Sequence, residues 1–480
     1  MYEVMLVMSV LIYIAVAIAY LRSPVVSVFH PASIYMVFHG FVFVVRPIIV
    51  YIMGYQFIYQ IYMFTPSEMD RVVALMATSL GLIVFMATCV RSGHVPMVFR
   101  DSPTHRVERQ LMRKALPIML LICVPIGVYS LKMVVDGAVS GESSMITVNG
   151  VKINTTSVGY MTDAMLILVP VCGLFAWYHR FRLYAFLPLA IFFVVKASTG
   201  GRGPVVVAAA GTAYFFMYDK KIKLLDARIL ALAAFVAVAF TYIGQDRGYA
   251  LRQFLGFGNF SENMESDGTE KNFIAGMDFA NMEYLEYMVY VVPQRSGTYD
   301  YFLANLQLLT EPVPRALWPG KPVGAPIKTI NLLDYGNPMG ITASLPGVGW
   351  FELGWLGVVI WCGLWGWGLG AFYRWFAAGP QDAISVSLYL VSLPILIIAF
   401  RDGALLTVVR TGVFYVIPVL VMMLARRILR IPTFAHVRLA LARQAGGMQQ
   451  LAARVTKPAL RGRANRLRLI AAMPQQSRGE

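Results

Sequence analysis

Recurrent apolar runs of about 20 residues, joined by short polar or basic loops, constrain this chain more than any other feature of it. A run of that length spans the hydrocarbon core of a bilayer. With no water there to satisfy backbone N–H and C=O groups, each run must close its hydrogen bonds internally as a helix. Such runs fall at 4–21, 32–53, 72–90, 115–135, 160–178, 183–198, 204–218, 228–245, 347–373, 383–400 and 404–425. Composition agrees: only 14% of residues are charged and mean hydropathy is +0.63, against roughly 25% charged in soluble domains. The fold class expected is an all-α integral membrane protein with about 11 transmembrane helices, two or three of them short.

Orientation follows from lysine and arginine, which accumulate on the cytoplasmic side. The 91–114 segment carries Arg91, Arg100, Arg106, Arg109, Arg113 and Lys114 and is placed inside. Arg180 and Arg182, Lys220, Lys221, Lys223 and Arg228, and Arg374 then fall on the same side. The tail from Arg426, with 12 basic residues and one acidic, joins them. The N-terminus is expected outside and the C-terminus inside. Ala17-Ile18-Ala19 mimics a signal-peptide cleavage site, but the preceding flank holds Glu3 and no basic residue, so cleavage is not expected.

Several function classes recede on these grounds. Cys89, Cys123, Cys172 and Cys362 lie in apolar runs with neither disulfide nor metal-ligand spacing. There is no CxxC, HExxH or Walker loop, so no cofactor or metal is expected. The net charge of +16 is concentrated in the tail and does not indicate nucleic-acid binding. Four regions result: 1–245 with helices one to eight, a large outer loop at 246–346, the last three helices at 347–425, and a basic cytoplasmic tail at 426–480. The loop holds 11 acidic and seven basic residues among aromatics and prolines, which suits a folded insertion. Within it, 278–292 reads as an amphipathic helix and 300–310 as a second. A smaller outer loop, 136–159, is rich in Gly, Ser and Thr and reads as a flap. The 434–455 stretch reads as a helical pair around Gly446-Gly447, either lying on membrane lipids of the anionic inner leaflet or serving as an ordinary positive-inside tail.

Candidate chemistry gathers on outward arginines. Ser198-Thr199-Gly200-Gly201-Arg202-Gly203 sets Arg202 in a glycine turn between two apolar runs. The flanking Gly201 and Gly203 let backbone N–H groups and the guanidinium converge on one anion. Arg46 precedes Pro47 in the second run, Arg401 opens the turn Arg401-Asp402-Gly403, and Arg410 lies inside the last run. An arginine in apolar sequence is costly unless partnered or facing a wet cavity, and its fork suits phosphate. Snorkelling to lipid headgroups is the simpler alternative. In the large loop, Pro312-Val313-Pro314-Arg315-Ala316-Leu317-Trp318-Pro319-Gly320-Lys321-Pro322 combines a stiff backbone, two cations and a flat ring that can stack on a sugar. A rigid re-entry loop anchored by its tryptophan would look the same. Glu352 sits where apolar sequence begins after Ser344-Leu345-Pro346-Gly347, as an acid of altered pKa or as a structural ion-pair member.

These three pieces in this order, with the span count and one large outer loop, make the chain up to about residue 430 resemble the bacterial oligosaccharide repeat-unit polymerases of the Wzy type, which build O-antigen and exopolysaccharide. The resemblance implies a GT-C-like glycosyltransferase in the bacterial inner membrane. Its substrate would be an undecaprenyl-pyrophosphate-linked oligosaccharide at the periplasmic face, and a chain-length regulator is a candidate partner. In such a transfer charge develops on the leaving pyrophosphate, which fixed arginines stabilise. Arg202, Arg401 and Arg410 are the choices for that role, with Arg46 fourth. Asp300, Glu311, Glu352, Asp278 and Asp246 are candidate bases for the acceptor hydroxyl, unless the departing phosphate takes the proton itself. Gly201, Gly203, Arg315, Trp318 and Lys321 are expected to contact substrate. Histidine is absent from the large loop, which weighs against the related ligases. A polyprenyl-monophosphate sugar transferase finds only the weak acidic pair Glu68 and Asp70. A flippase finds no internal repeat.

Overall fold

The computed structural model describes residues 1–140, 145–148, 151–154, 159–198, 203–224, 279–313, 317–318, 320–322, 324–336 and 342–444. Helix α1 is Tyr2–Leu21, and α2, Pro31–His39, passes through a π-helical turn, Gly40–Val45, into α3, Arg46–Met53. Then come α4 Phe57–Tyr62, α5 Glu68–Ser92, α6 Pro103–Met112 and α7 Leu116–Ser140. A small antiparallel hairpin pairs Met145–Val148 with Val151–Asn154, within the stretch read as a flap. Helices α8 Gly159–Asp163, α9 Leu168–Tyr178, α10 Leu187–Ser198 and α11 Gly203–Asp219 follow. The large loop contributes α12 Asn281–Val291 and the single turn α13 Gln307–Thr310, close to the two helices expected there. The chain then forms α14 Ser344–Ala378, α15 Ala383–Ser392, α16 Ile395–Asp402 and α17 Leu405–Ile428.

Among the described residues, eight helical stretches are long and apolar enough to cross a membrane: Tyr2–Leu21, Pro31–Met53, Glu68–Ser92, Pro103–Asp136, Tyr160–Tyr178, Ser344–Ala378, Ala383–Asp402 and Leu405–Ile428. The protein is a multi-pass, essentially all-helical membrane protein. Of the other three runs, 183–198 holds a shorter apolar helix, Leu183–Lys196. The run at 204–218 is α11, 17 residues long, and 228–245 lies outside the described residues.

The centre of the bundle is the pairing of α5 with α14. Bilayer lipid gives apolar helices no hydrophobic reason to associate, so close approach through small residues does that work. Gly366 and Gly370, one turn apart on α14, face Phe85, Thr88 and Cys89 of α5. A Cβ on Gly366 would lie 2.6 Å from the Phe85 carbonyl oxygen. Gly366→Ala is therefore expected to force the two helices apart at a cost of about 1–3 kcal/mol, read as a lower midpoint of thermal unfolding in detergent.

Helix α14 is broken once. Leu353 and Gly354 leave helical geometry, Gly354 at φ 58° and ψ −135°, a conformation that side chains disfavour. The break frees carbonyls that a continuous helix would use. Phe351 O accepts from Asp300 N at 3.1 Å and Glu352 O from Tyr301 N at 2.9 Å, tying the large loop to the start of the span.

Polar loops segregate to two ends. At one, Arg109 of α6 pairs with Asp219 at the end of α11, and Gln381 joins Val98, Arg100 and Tyr218. Here too the basic tail begins: residues 434–444 are helical, with Phe434 4.7 Å from the His105 ring and Val437 buried. At the other end lie the N-terminus, α4, α8, α12, α13 and the Arg401-Asp402-Gly403 turn.

Candidate functional site

Arg410, on α17, reaches out of an apolar helix to a polar cluster at this second end. Its Nε donates to Asp163 Oδ2 at 2.7 Å, and its Nη2 pairs with the same carboxylate. Nη1 stands 3.8 Å from Glu311 Oε1, and the guanidinium lies 5.5 Å from the centre of the Tyr160 ring. The Tyr160 hydroxyl in turn donates to the Glu311 carbonyl. Lys321 lies on the far side of Glu311, its Nζ 3.8 Å from the carboxylate and donating to the carbonyls of Glu311 and Val313 at 3.0 and 3.1 Å. A charged arginine, a carboxylate and a lysine from the last span and the large loop are thus gathered in one place. Arg410 remains 39% exposed there.

A second acidic group is buried next to the break in α14. Asp300 and Glu352, 3% and 2% exposed, are each held by one backbone N–H and one side-chain donor. Asp300 accepts from Ala304 N and the Thr329 hydroxyl, while Glu352 accepts from Phe302 N and Asn305 Nδ2. Phe302 contacts Trp361, whose indole N–H donates to Gly403 O at 3.0 Å. The Arg401-Asp402-Gly403 turn is fixed from another side by Asn281 Nδ2, which bonds Arg401 O at 2.8 Å and Thr342 O at 2.6 Å. The large loop, the start of α14 and the Arg401-Asp402-Gly403 turn are therefore one assembly.

Arg46 has a different setting. It is 1% exposed and paired with Glu283 of α12 through Nε at 3.1 Å and Nη2 at 2.7 Å. The π-helical turn that ends at Val45 shifts the helix register immediately before it. One turn along α12, Glu286 accepts from the Tyr59 hydroxyl at 2.6 Å. Burial, reinforced by the Glu283 carboxylate, pushes the Glu286 carboxyl up to about 8. Folded protein therefore binds a proton that unfolded chain releases at lower pH, and stability falls as pH rises from the ordinary carboxylate range towards about 8, by up to about 1.4 kcal/mol per pH unit. Glu286→Gln keeps an acceptor for Tyr59 and is expected to flatten this slope in thermal unfolding measured against pH. An unchanged slope would show that Glu286 is charged in the folded state.

Arg202, Gly201 and Arg315 lie outside the described residues, as do the candidate bases Asp246 and Asp278. Gly203 opens α11 and Trp318 is 39% exposed, its carbonyl accepting from Lys321 N at 2.9 Å. Glu68 pairs with the N-terminal amine, and Asp70 caps its own helix with Ser67. Asp163 and Tyr160 were not singled out from sequence. The available signal was an acid in the first turn of an apolar run directly after a polar loop. Among the described residues, no group of three or more His, Cys, Asp or Glu side chains is placed to hold a metal ion. In comparisons with known proteins, no family model, curated protein or solved structure matches this chain.

Proposed function

We propose that the protein is a GT-C-like polymerase of lipid-linked oligosaccharides, with 11 spans, its N-terminus outside and its C-terminus inside a bacterial inner membrane. The observation that carries this reading is the meeting of Arg410, Glu311 and Lys321 with Asp163 under the large loop, at the end opposite the basic loops. There the acceptor sugar hydroxyl attacks the anomeric carbon of the growing glycan. The glycosyl–phosphate C–O bond breaks, and undecaprenyl pyrophosphate leaves with the electron pair. Arg410, with Arg202 and Arg401, stabilises the charge on the leaving group. The hydroxyl proton passes to a carboxylate, Glu311 being the one beside Arg410, or to the departing phosphate.

The test is made in a gene-deletion strain complemented with wild type or Arg202→Ala, following lipid-linked glycans and surface polymer by gel and mass spectrometry. Single repeat units at the outer face with no polymer, in both the deletion and the alanine strain, are expected. Units trapped on the cytoplasmic leaflet would instead make the protein a flippase and remove the catalytic assignments together.

A further inference from the structure

The basic end contains a cleft that the glycan chemistry does not use. It measures about 100 Å³, several times what one water molecule requires. Arg100, Arg106, Arg109 and Lys221 line it, against two carboxylates, Asp101 and Asp219. Asp101 sits at the rim, accepting from Arg106 Nε and Nη2 at 3.0 Å each and from Lys221 Nζ at 2.9 Å. Those three charge-assisted bonds hold its carboxyl well below the usual carboxylate range. Arg109 is fixed between Asp219, the Trp177 carbonyl and the Trp177 ring, 4.6 Å away. The Arg100 guanidinium donates to the Ala378 carbonyl at 2.9 Å and has no carboxylate among the described residues.

We propose that this cleft binds a phosphate group. Its basic side chains exceed its carboxylates, so an anion is attracted. Arg106 and Lys221, 67% and 52% exposed, are free to swing from Asp101 to an incoming oxyanion. Arg100 adds a cation already anchored at the wall, and Arg109 on the Trp177 ring makes a rigid floor. The cleft lies between loops that join membrane-crossing helices, where the phosphate of a lipid headgroup and a free phosphate can both arrive.

The test uses the full-length protein in detergent. Native mass spectrometry follows retention of phosphatidylglycerol against phosphatidylcholine, and thermal unfolding is titrated with inorganic phosphate against chloride at matched ionic strength. The cleft variant Arg106→Gln/Lys221→Gln is expected to weaken binding about 30-fold. The control Arg374→Gln/Arg427→Gln removes two exposed charges outside the cleft and is expected to bind as wild type does. Selective retention of phosphatidylglycerol alone identifies a headgroup, and stabilisation by inorganic phosphate alone identifies a soluble ligand. If the cleft variant does not fold, Arg100→Gln in the wild-type background gives the same readout. The proposal is overturned if neither probe binds, or if control and cleft variants lose binding equally. Glycan polymerisation is a separate readout, so failure here leaves the outer site untouched.

Discussion

Replacing Glu283 with alanine is expected to destabilise the protein by about 3–5 kcal/mol, the largest effect on stability foreseen for any single side chain here. The Arg46 guanidinium lies almost wholly out of contact with solvent and receives two hydrogen bonds' worth of compensation from this one carboxylate. Removing the carboxylate leaves a buried positive charge beside it. Removing both charges with residues of similar volume, in Arg46→Met/Glu283→Met, is expected to recover much of the loss, since a buried pair itself adds little net stability. Thermal unfolding of the single and double variants in detergent reads the difference. A loss of only about 1 kcal/mol for Glu283→Ala, the worth of an exposed pair, would mean that water reaches Arg46.

Arg410→Lys is expected to lower polymer formation by about 10²–10³-fold while leaving the amount of protein in the membrane unchanged. Arginine engages Asp163 through Nε and Nη2 while turning Nη1 towards Glu311. A lysine carries the same charge on one compact head and cannot hold two carboxylates in that geometry. If charge alone mattered, the lysine variant would polymerise nearly as well as wild type, and the oriented-fork role of Arg410 would be lost. Asp163→Asn refines the result. It retains an acceptor for the guanidinium but removes the charge that fixes it, so an intermediate loss points to Asp163 as a positioning residue. Polymer length distribution and membrane protein level are measured together, which separates lost chemistry from lost folding.

The two results bear on different layers of the molecule. Arg46 and Arg410 look alike in the sequence, each a lone arginine within an apolar run. One is sealed against Glu283 between the second span and α12, and the other remains partly exposed under the loop. Nothing in the local sequence distinguishes them, because their partners lie 237 and 247 residues away. Lys321 tells the same story. Its proline-rich surroundings mark a stiff loop, but only the structure shows its ammonium donating to the Glu311 and Val313 carbonyls beside the Glu311 carboxylate. Helix α12 was legible from its spacing of apolar residues, yet its two glutamates gave no sign that both would be buried.

By itself the sequence determined that the chain crosses a membrane repeatedly as helices, because a bilayer leaves an apolar run no other way to satisfy its backbone. It also determined which loops are basic, a property of composition that needs no packing. Tertiary structure alone decided how α5 and α14 meet through Gly366 and Gly370, and where α14 breaks at Gly354. It alone chose which acid Arg46 and Arg410 each find. Those outcomes depend on contacts between segments far apart in the chain, whose strength comes from burial and geometry that no local pattern records.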